Sequence, residues 1–128
     1  MSNLFTFTGR LGRLAYFGYT VLLVLLGTFG ALAASVLRDV SGFLTFVLIA
    51  VIIVVMAWSG LSIAVRRLHD LDMSGWHYVW MAVIPDAIAS FGQSQKSMLI
   101  TAVGSLMALA FLLFLIFWPG TPGRNSYG

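Results

Sequence analysis

The chain has 128 residues, 60% of them hydrophobic and 9% charged, against about 25% charged in soluble domains; the surface of a water-soluble protein cannot be built from it. Seven Lys and Arg against four Asp and Glu leave a net charge of +3, but the basic residues sit singly or in pairs at segment ends and form no nucleic-acid-binding stripe. Cysteine is absent, which excludes disulfides, thiolate metal sites and cysteine nucleophiles.

In chain order, GRLGR leads into the first apolar stretch, 14–37, which contains no charge. Arg10, Arg13 and the sequence Ala31-Leu32-Ala33 imitate a secretory signal with its cleavage site. The apolar run extends past that site on both sides and exceeds the roughly 7–15 residues of a signal core, so it is expected to remain as a span. No lipid-anchor motif is visible: there is neither a CaaX box nor a glycine at position 2. The second stretch, 42–65, and the last, 98–118, are equally bare of charge. All three exceed or match the roughly 20 residues needed to cross a bilayer. A further stretch, 76–92, is shorter and carries Pro85 and Asp86 near its middle; it could cross, dip in and return, or lie along the interface.

The expected fold is therefore all-α: a single membrane domain over 1–128, a polytopic helical bundle with four transmembrane helices, or three plus a re-entrant or interfacial segment. With four spans, Arg10, Arg13, Arg66, Arg67 and Arg124 fall on one side and Arg38 and Lys96 on the other, as the positive-inside rule requires with a cytoplasmic N-terminus. Three spans exchange Lys96 for Arg124 and give the same ratio. The aromatic belt favours four, because Tyr16, Tyr19, Trp76, Tyr78 and Trp118 then share one headgroup level. Small residues recur at four-residue spacing in Gly27, Ala31 and Ser35, in Gly60 and Ala64, and in Gly104 and Ala108, stripes that suit close helix contacts in lipid.

Between the second and third stretches lies RRLHDLDMSGWHY, residues 66–78. If the second helix continues past Val65, Arg66 and Asp70 are four apart on one face and suited to an ion pair, with His69 beside them. Asp72 and Ser74 offer caps for the next helix, Gly75 a tight reversal and Trp76 an interfacial anchor. The structural reading is orientation and anchoring. The functional reading adds an anionic phosphate or headgroup, held by Arg66 and Arg67 with help from Arg10 and Arg13. His69, His77, Asp70 and Asp72 are acceptable metal ligands without a metal-binding spacing, so no metal or cofactor is expected. Ser74 with His69 or His77 and Asp70 supplies the residue types of a nucleophilic triad without its supporting motifs.

Asp86 would lie about 15 Å into the bilayer on a straight third span. A central carboxylate there costs about 2.5–3.5 kcal/mol on translocon scales, so it needs a proton, a partner or water, and it is the candidate for an ion or proton site. The alternative is that Pro85 breaks the segment and Asp86 caps a new helix near water.

FTGRLGRLAYF, RRLHDLDMSGW followed shortly by IP, and PGTPGRNSYG together resemble the bacterial membrane proteins grouped as domain of unknown function 805, from Phe5 to Gly128. The motif positions that match are Gly9, Arg10, Arg13, Tyr16, Arg66, Arg67, Leu68, His69, Asp70, Ser74, Gly75, Trp76, Pro85, Gly120, Asn125, Tyr127 and Gly128. The resemblance implies a small, polytopic inner-membrane protein and assigns no catalytic residue. Family members often run almost directly from the proline into the terminal apolar stretch, whereas DAIASFGQSQKS intervenes here.

The expected function is a non-enzymatic inner-membrane scaffold or interaction module. Arg10, Arg13, Arg66, Arg67, His69, Asp70, Ser74 and Trp76 would form a cytoplasmic basic platform for anionic lipid headgroups or a partner protein, which could be a second copy, and no nucleic acid is expected. The alternatives are a transporter or ion-conducting component using Asp86, and a lipid-modifying enzyme using His69 and Asp70.

Overall fold

A computed structural model describes residues 6–128, in which the chain forms four helices: α1 (Arg13–Leu37), α2 (Gly42–Asp70), α3 (His77–Ser94) and α4 (Met98–Phe117). No strand occurs among the described residues. Of these helices, α1, α2 and α4 are long and apolar enough to cross a membrane. Their large side chains, among them Leu14, Phe29, Phe46, Val54 and Leu106, are exposed, as expected where the surrounding solvent is lipid.

α2 runs five residues beyond the stretch 42–65 and takes Arg66 to Asp70 into its last turns. Its end is a Schellman motif: Asp72 adopts a left-handed φ of 58°, its N–H bonds His69 O at 3.0 Å, and the Met73 N–H bonds Leu68 O at 2.8 Å. α3 closes in the same way. Lys96 has φ 53°, and its N–H and that of Ser97 bond Gln93 O and Gly92 O. Ser97 then caps α4 by accepting from Ile100 N at 3.3 Å. The insertion after Pro85 is thus the second half of α3 and a tight turn.

α3 continues unbroken through Pro85, so Asp86 does not cap a new helix. The missing proline N–H removes one backbone bond, which packed neighbours make tolerable. α3 also lies antiparallel along α4 for its full length. Near one end Trp80 meets Phe111 edge-on at 5.4 Å. In the middle Gly104 fits against Ala89 and Pro85, and at the other end Gly92 fits against Thr101. At about 1.5 Å per residue the 18 residues of α3 extend about 27 Å. α3 is a packing partner of α4 along its whole length.

The glycine stripes are partly as expected. On α1 the face against α2 carries Gly27, close to Met56, and Gly30, close to Ile52, with Ala34 buried; Ala31 and Ser35 are exposed. Gly60 faces open space, and the small buried residues of α2 are Ser59, Ser62 and Ala64. Gly92 and Gly104 both approach backbone directly, Gly92 at Thr101 N and Gly104 at Ala89 N.

The two hairpins, α1–α2 and α3–α4, share a core of Leu11, Tyr16, Leu23, Ile63, Ala64, Leu68, Met81 and Leu115. It concentrates at the end where α1 begins and α2 ends. The C-terminal tail returns to that same end, where Thr121 N bonds Asp70 O at 2.8 Å. Arg38 and Lys96 sit at the turns of the opposite end.

Candidate functional site

The last carbonyls of any helix lack intrahelical partners and form its negative end. α2 and α4 terminate side by side, and the charged residues between them resolve this shared deficit. Arg67, fully buried, donates from Nε to Leu115 O at 2.5 Å and from Nη2 to Trp118 O, two of the orphan carbonyls of α4. Its Nη1 donates to Asp70 Oδ2 at 2.6 Å. Arg67 therefore caps the neighbouring helix while keeping a counter-charge on its own.

Asp70 is an acid at a helix C-terminus, where the macrodipole disfavours it. A second arginine offsets that cost: Arg10 Nε and Nη2 lie 3.0 and 2.9 Å from Asp70 Oδ1. Arg10 also donates to Thr121 O at 2.6 Å and Gly123 O at 2.5 Å. One carboxylate thus serves two guanidiniums, and tail and helix carbonyls spread the excess positive charge.

The tail in turn completes α2. Thr121 N–H bonds Asp70 O, and Asn125 Nδ2 donates to His69 O at 2.8 Å. Ser126 N–H bonds Asp72 Oδ1 at 3.0 Å. Tyr127 stacks on His69 with centroids 4.0 Å apart and planes within 5°, while His69 Nδ1 sits 2.9 Å from Gly9 O, a geometry that places the proton on Nδ1. At Gly120 an added Cβ would strike the Asp70 carboxylate, so this tail course needs glycine. The N-terminal segment closes the other flank. Leu11 N–H bonds Arg66 O at 2.9 Å, the Ser62 hydroxyl donates to Thr6 O, and Phe7 meets Trp58 edge-on at 4.9 Å.

Several expected roles change. Asp70 pairs with Arg67 and Arg10, not with Arg66, because its carboxylate turns toward the tail; Arg66 is 1% exposed in the bundle. The cap of α3 comes from neither Asp72 nor Ser74: Trp76 is the N-cap without a side-chain bond, the Ser74 carbonyl accepts from His77 N, and Ser74 Oγ accepts from Trp76 N at 3.4 Å. Gly75 is needed for close approach rather than reversal, since a Cβ there would lie 2.7 Å from Val65 Cγ1. His77 turns to Trp80, whose Nε1 donates to its Nδ1 at 3.1 Å. Asp70, held by two arginines, orients no histidine. Trp76 is 81% exposed, as an interfacial anchor should be.

Arg13 and Arg124 are exposed at this end. The sequence reading missed the carbonyls of Leu115, Trp118, Thr121 and Gly123 as arginine partners. Their signal is a polar tail of ten residues after the last apolar stretch, beginning Pro-Gly, long enough to fold back over the charged turn.

Asp86 lies away from this network. It lines a cleft of about 410 Å³ between α1 and the α3–α4 pair, with Tyr16, Tyr78, Gly104, Ser105 and Phe111.

No curated protein and no solved structure matches the chain. A family model does match, over residues 4–128 and so through every element of the latch formed by Arg10, Arg67, Asp70 and the folded-back tail. The chain belongs to the family described as protein of unknown function, DUF805.

Proposed function

We propose that the protein is a non-enzymatic scaffold of the bacterial inner membrane, crossing it with all four helices and keeping both described ends in the cytoplasm. Its latched end is a rigid platform that recruits anionic lipid headgroups. The observation that supports this reading is the division of labour among the arginines. Arg10 and Arg67 are held by Asp70 and backbone carbonyls, whereas Arg13 and Arg124 stay exposed on the same end. A basic side chain near an anionic surface contributes about 1 kcal/mol, so these two set the headgroup affinity while the latch sets their position.

Native mass spectrometry tests the reading directly. Arg13→Gln with Arg124→Gln is expected to reduce retained phosphatidylglycerol and cardiolipin about tenfold or more, with unfolding unchanged. Undiminished retention would leave a partner protein or a second copy as the platform's occupant and remove the lipid reading.

Cysteine labelling checks the orientation. Ser126→Cys should react with a membrane-impermeant maleimide only from the cytoplasmic side and Gln95→Cys only from the other side. Reaction of both from one side would show that α3 does not cross.

A further inference from the structure

The cleft that contains Asp86 is chemically distinct from the latch. Asp86 stands nine residues beyond His77 on α3, about 14 Å along the helix from the polar end. Neither ion pair among the described residues involves it, since both go to Asp70. The cleft wall includes no Lys, Arg or His. It does include three aromatic rings, Tyr16, Tyr78 and Phe111, contributed by three different helices, and the hydroxyl of Ser105. Its volume of about 410 Å³ lies within the roughly 300–1,000 Å³ typical of small-molecule sites.

We infer that this cleft binds a lipophilic organic cation, a quaternary ammonium or phosphonium, with Asp86 as its counter-charge and the rings of Tyr16, Tyr78 and Phe111 as its walls. The sign of the ligand follows from the lone carboxylate. Its organic nature follows from the rest of the lining. A hard metal ion needs about six oxygen ligands, which one carboxylate and a few hydroxyls do not supply, and apolar walls cannot replace its hydration. A large, weakly hydrated cation loses little water on entry and is attracted to aromatic faces as well as to the carboxylate. Because the cleft lies between the two hairpins, the ligand can enter sideways from the lipid phase, where such cations concentrate. The site is independent of the headgroup platform: the two share no charged residue, and either can exist without the other.

The test uses the full chain in lipid nanodiscs, with empty nanodiscs as background, and measures equilibrium binding of radiolabelled tetraphenylphosphonium. Tetraphenylborate, of the same shape and opposite charge, serves as the control. The wild type is expected to bind the phosphonium saturably at one site per chain and not to bind the borate. Asp86 is exposed, so Asp86→Asn, which removes the counter-charge of the bound cation, is expected to lose about tenfold or more in affinity. Asp86→Glu should retain binding, and Asp39→Asn, in the turn at the far end of α1, should leave it unchanged. Should Asp86→Asn fail to fold, Ala108→Phe, which adds bulk to the cleft wall from α4 and keeps the carboxylate, is expected to abolish binding. Equal phosphonium binding in the wild type and in Asp86→Asn or Ala108→Phe, or equal binding of the two probes, would overturn the assignment, as would no saturable binding at all.

Discussion

Asp70→Ala is expected to destabilise the bundle by about 3–5 kcal/mol, the cost of leaving a buried charge without its partner. Arg67 is fully buried and Asp70 is its counter-charge; the two carbonyls it also binds cannot neutralise it. Arg10 would lose its ion pair at the same time, so the tail it holds through Thr121 and Gly123 should come free. Two measurements follow: reversible unfolding in detergent, and the rate of tryptic cleavage after Arg124, which should rise sharply. Arg67→Met is expected to cost less, about 1–3 kcal/mol, because the carbonyl caps and the Arg67–Asp70 pair are lost but Asp70 keeps Arg10 and no buried charge is left unpaired. The double variant Asp70→Ala with Arg67→Met should be more stable than the sum of the two singles, by about 0.5–3 kcal/mol of coupling. An Asp70→Ala protein as stable as the wild type, with a protected tail, is incompatible with the latch.

Gly104→Leu is the second large effect. A Cβ at this position would collide with Ala89 N and lie 2.7 Å from Pro85 O. These are backbone atoms that no rotamer change can move, so α3 and α4 must separate. Overpacking of this kind costs about 1–3 kcal/mol and occasionally more. In a bilayer the helices have no hydrophobic driving force to hold them once close contact is lost. Gly60→Ala is the matched comparison. Nothing lies within 4 Å of its added Cβ, so it is expected to be neutral or to gain about 0.5–1 kcal/mol of helix propensity. Unfolding midpoints of the two variants in the same detergent should therefore move in opposite directions, or Gly104→Leu alone should fall. If both match the wild type, α3 is not packed on α4 as described.

The latch also explains why an RRLHD turn and a GRNSYG tail belong together. Two helix ends brought side by side leave carbonyls that water cannot easily reach. Arg67 answers those of α4, and Thr121 and Asn125 answer those of α2. The residues that look most like a reactive cluster are therefore mostly occupied with holding the chain's two ends and its central turn in one place. Arg13 and Arg124, which stay exposed, are the ones that meet the membrane surface in the proposed function.

The sequence alone was enough for α1, α2 and α4 and their approximate limits, because an uncharged apolar run of about 20 residues has few alternatives to a helix in lipid; the stretch that becomes α3, shorter and interrupted by Pro85 and Asp86, it left open. It also marked the turn at 66–78 and the tail as related, through the family resemblance. It set the apolar span at 42–65 and allowed the helix to continue past Val65 without fixing where it stops, since hydropathy drops at Arg66 while backbone hydrogen bonding continues to Asp70. The choice of Arg67 and Arg10 over Arg66 as partners of Asp70, the unbroken course of α3 through Pro85, and the placing of Asp86 in a cleft with three aromatic rings were decided only by the tertiary structure. Helical spacing makes Arg66 and Arg67 almost equal neighbours of Asp70. What separates them is a third body, the folded-back tail, and contacts between residues more than a hundred positions apart leave no periodic trace in the chain.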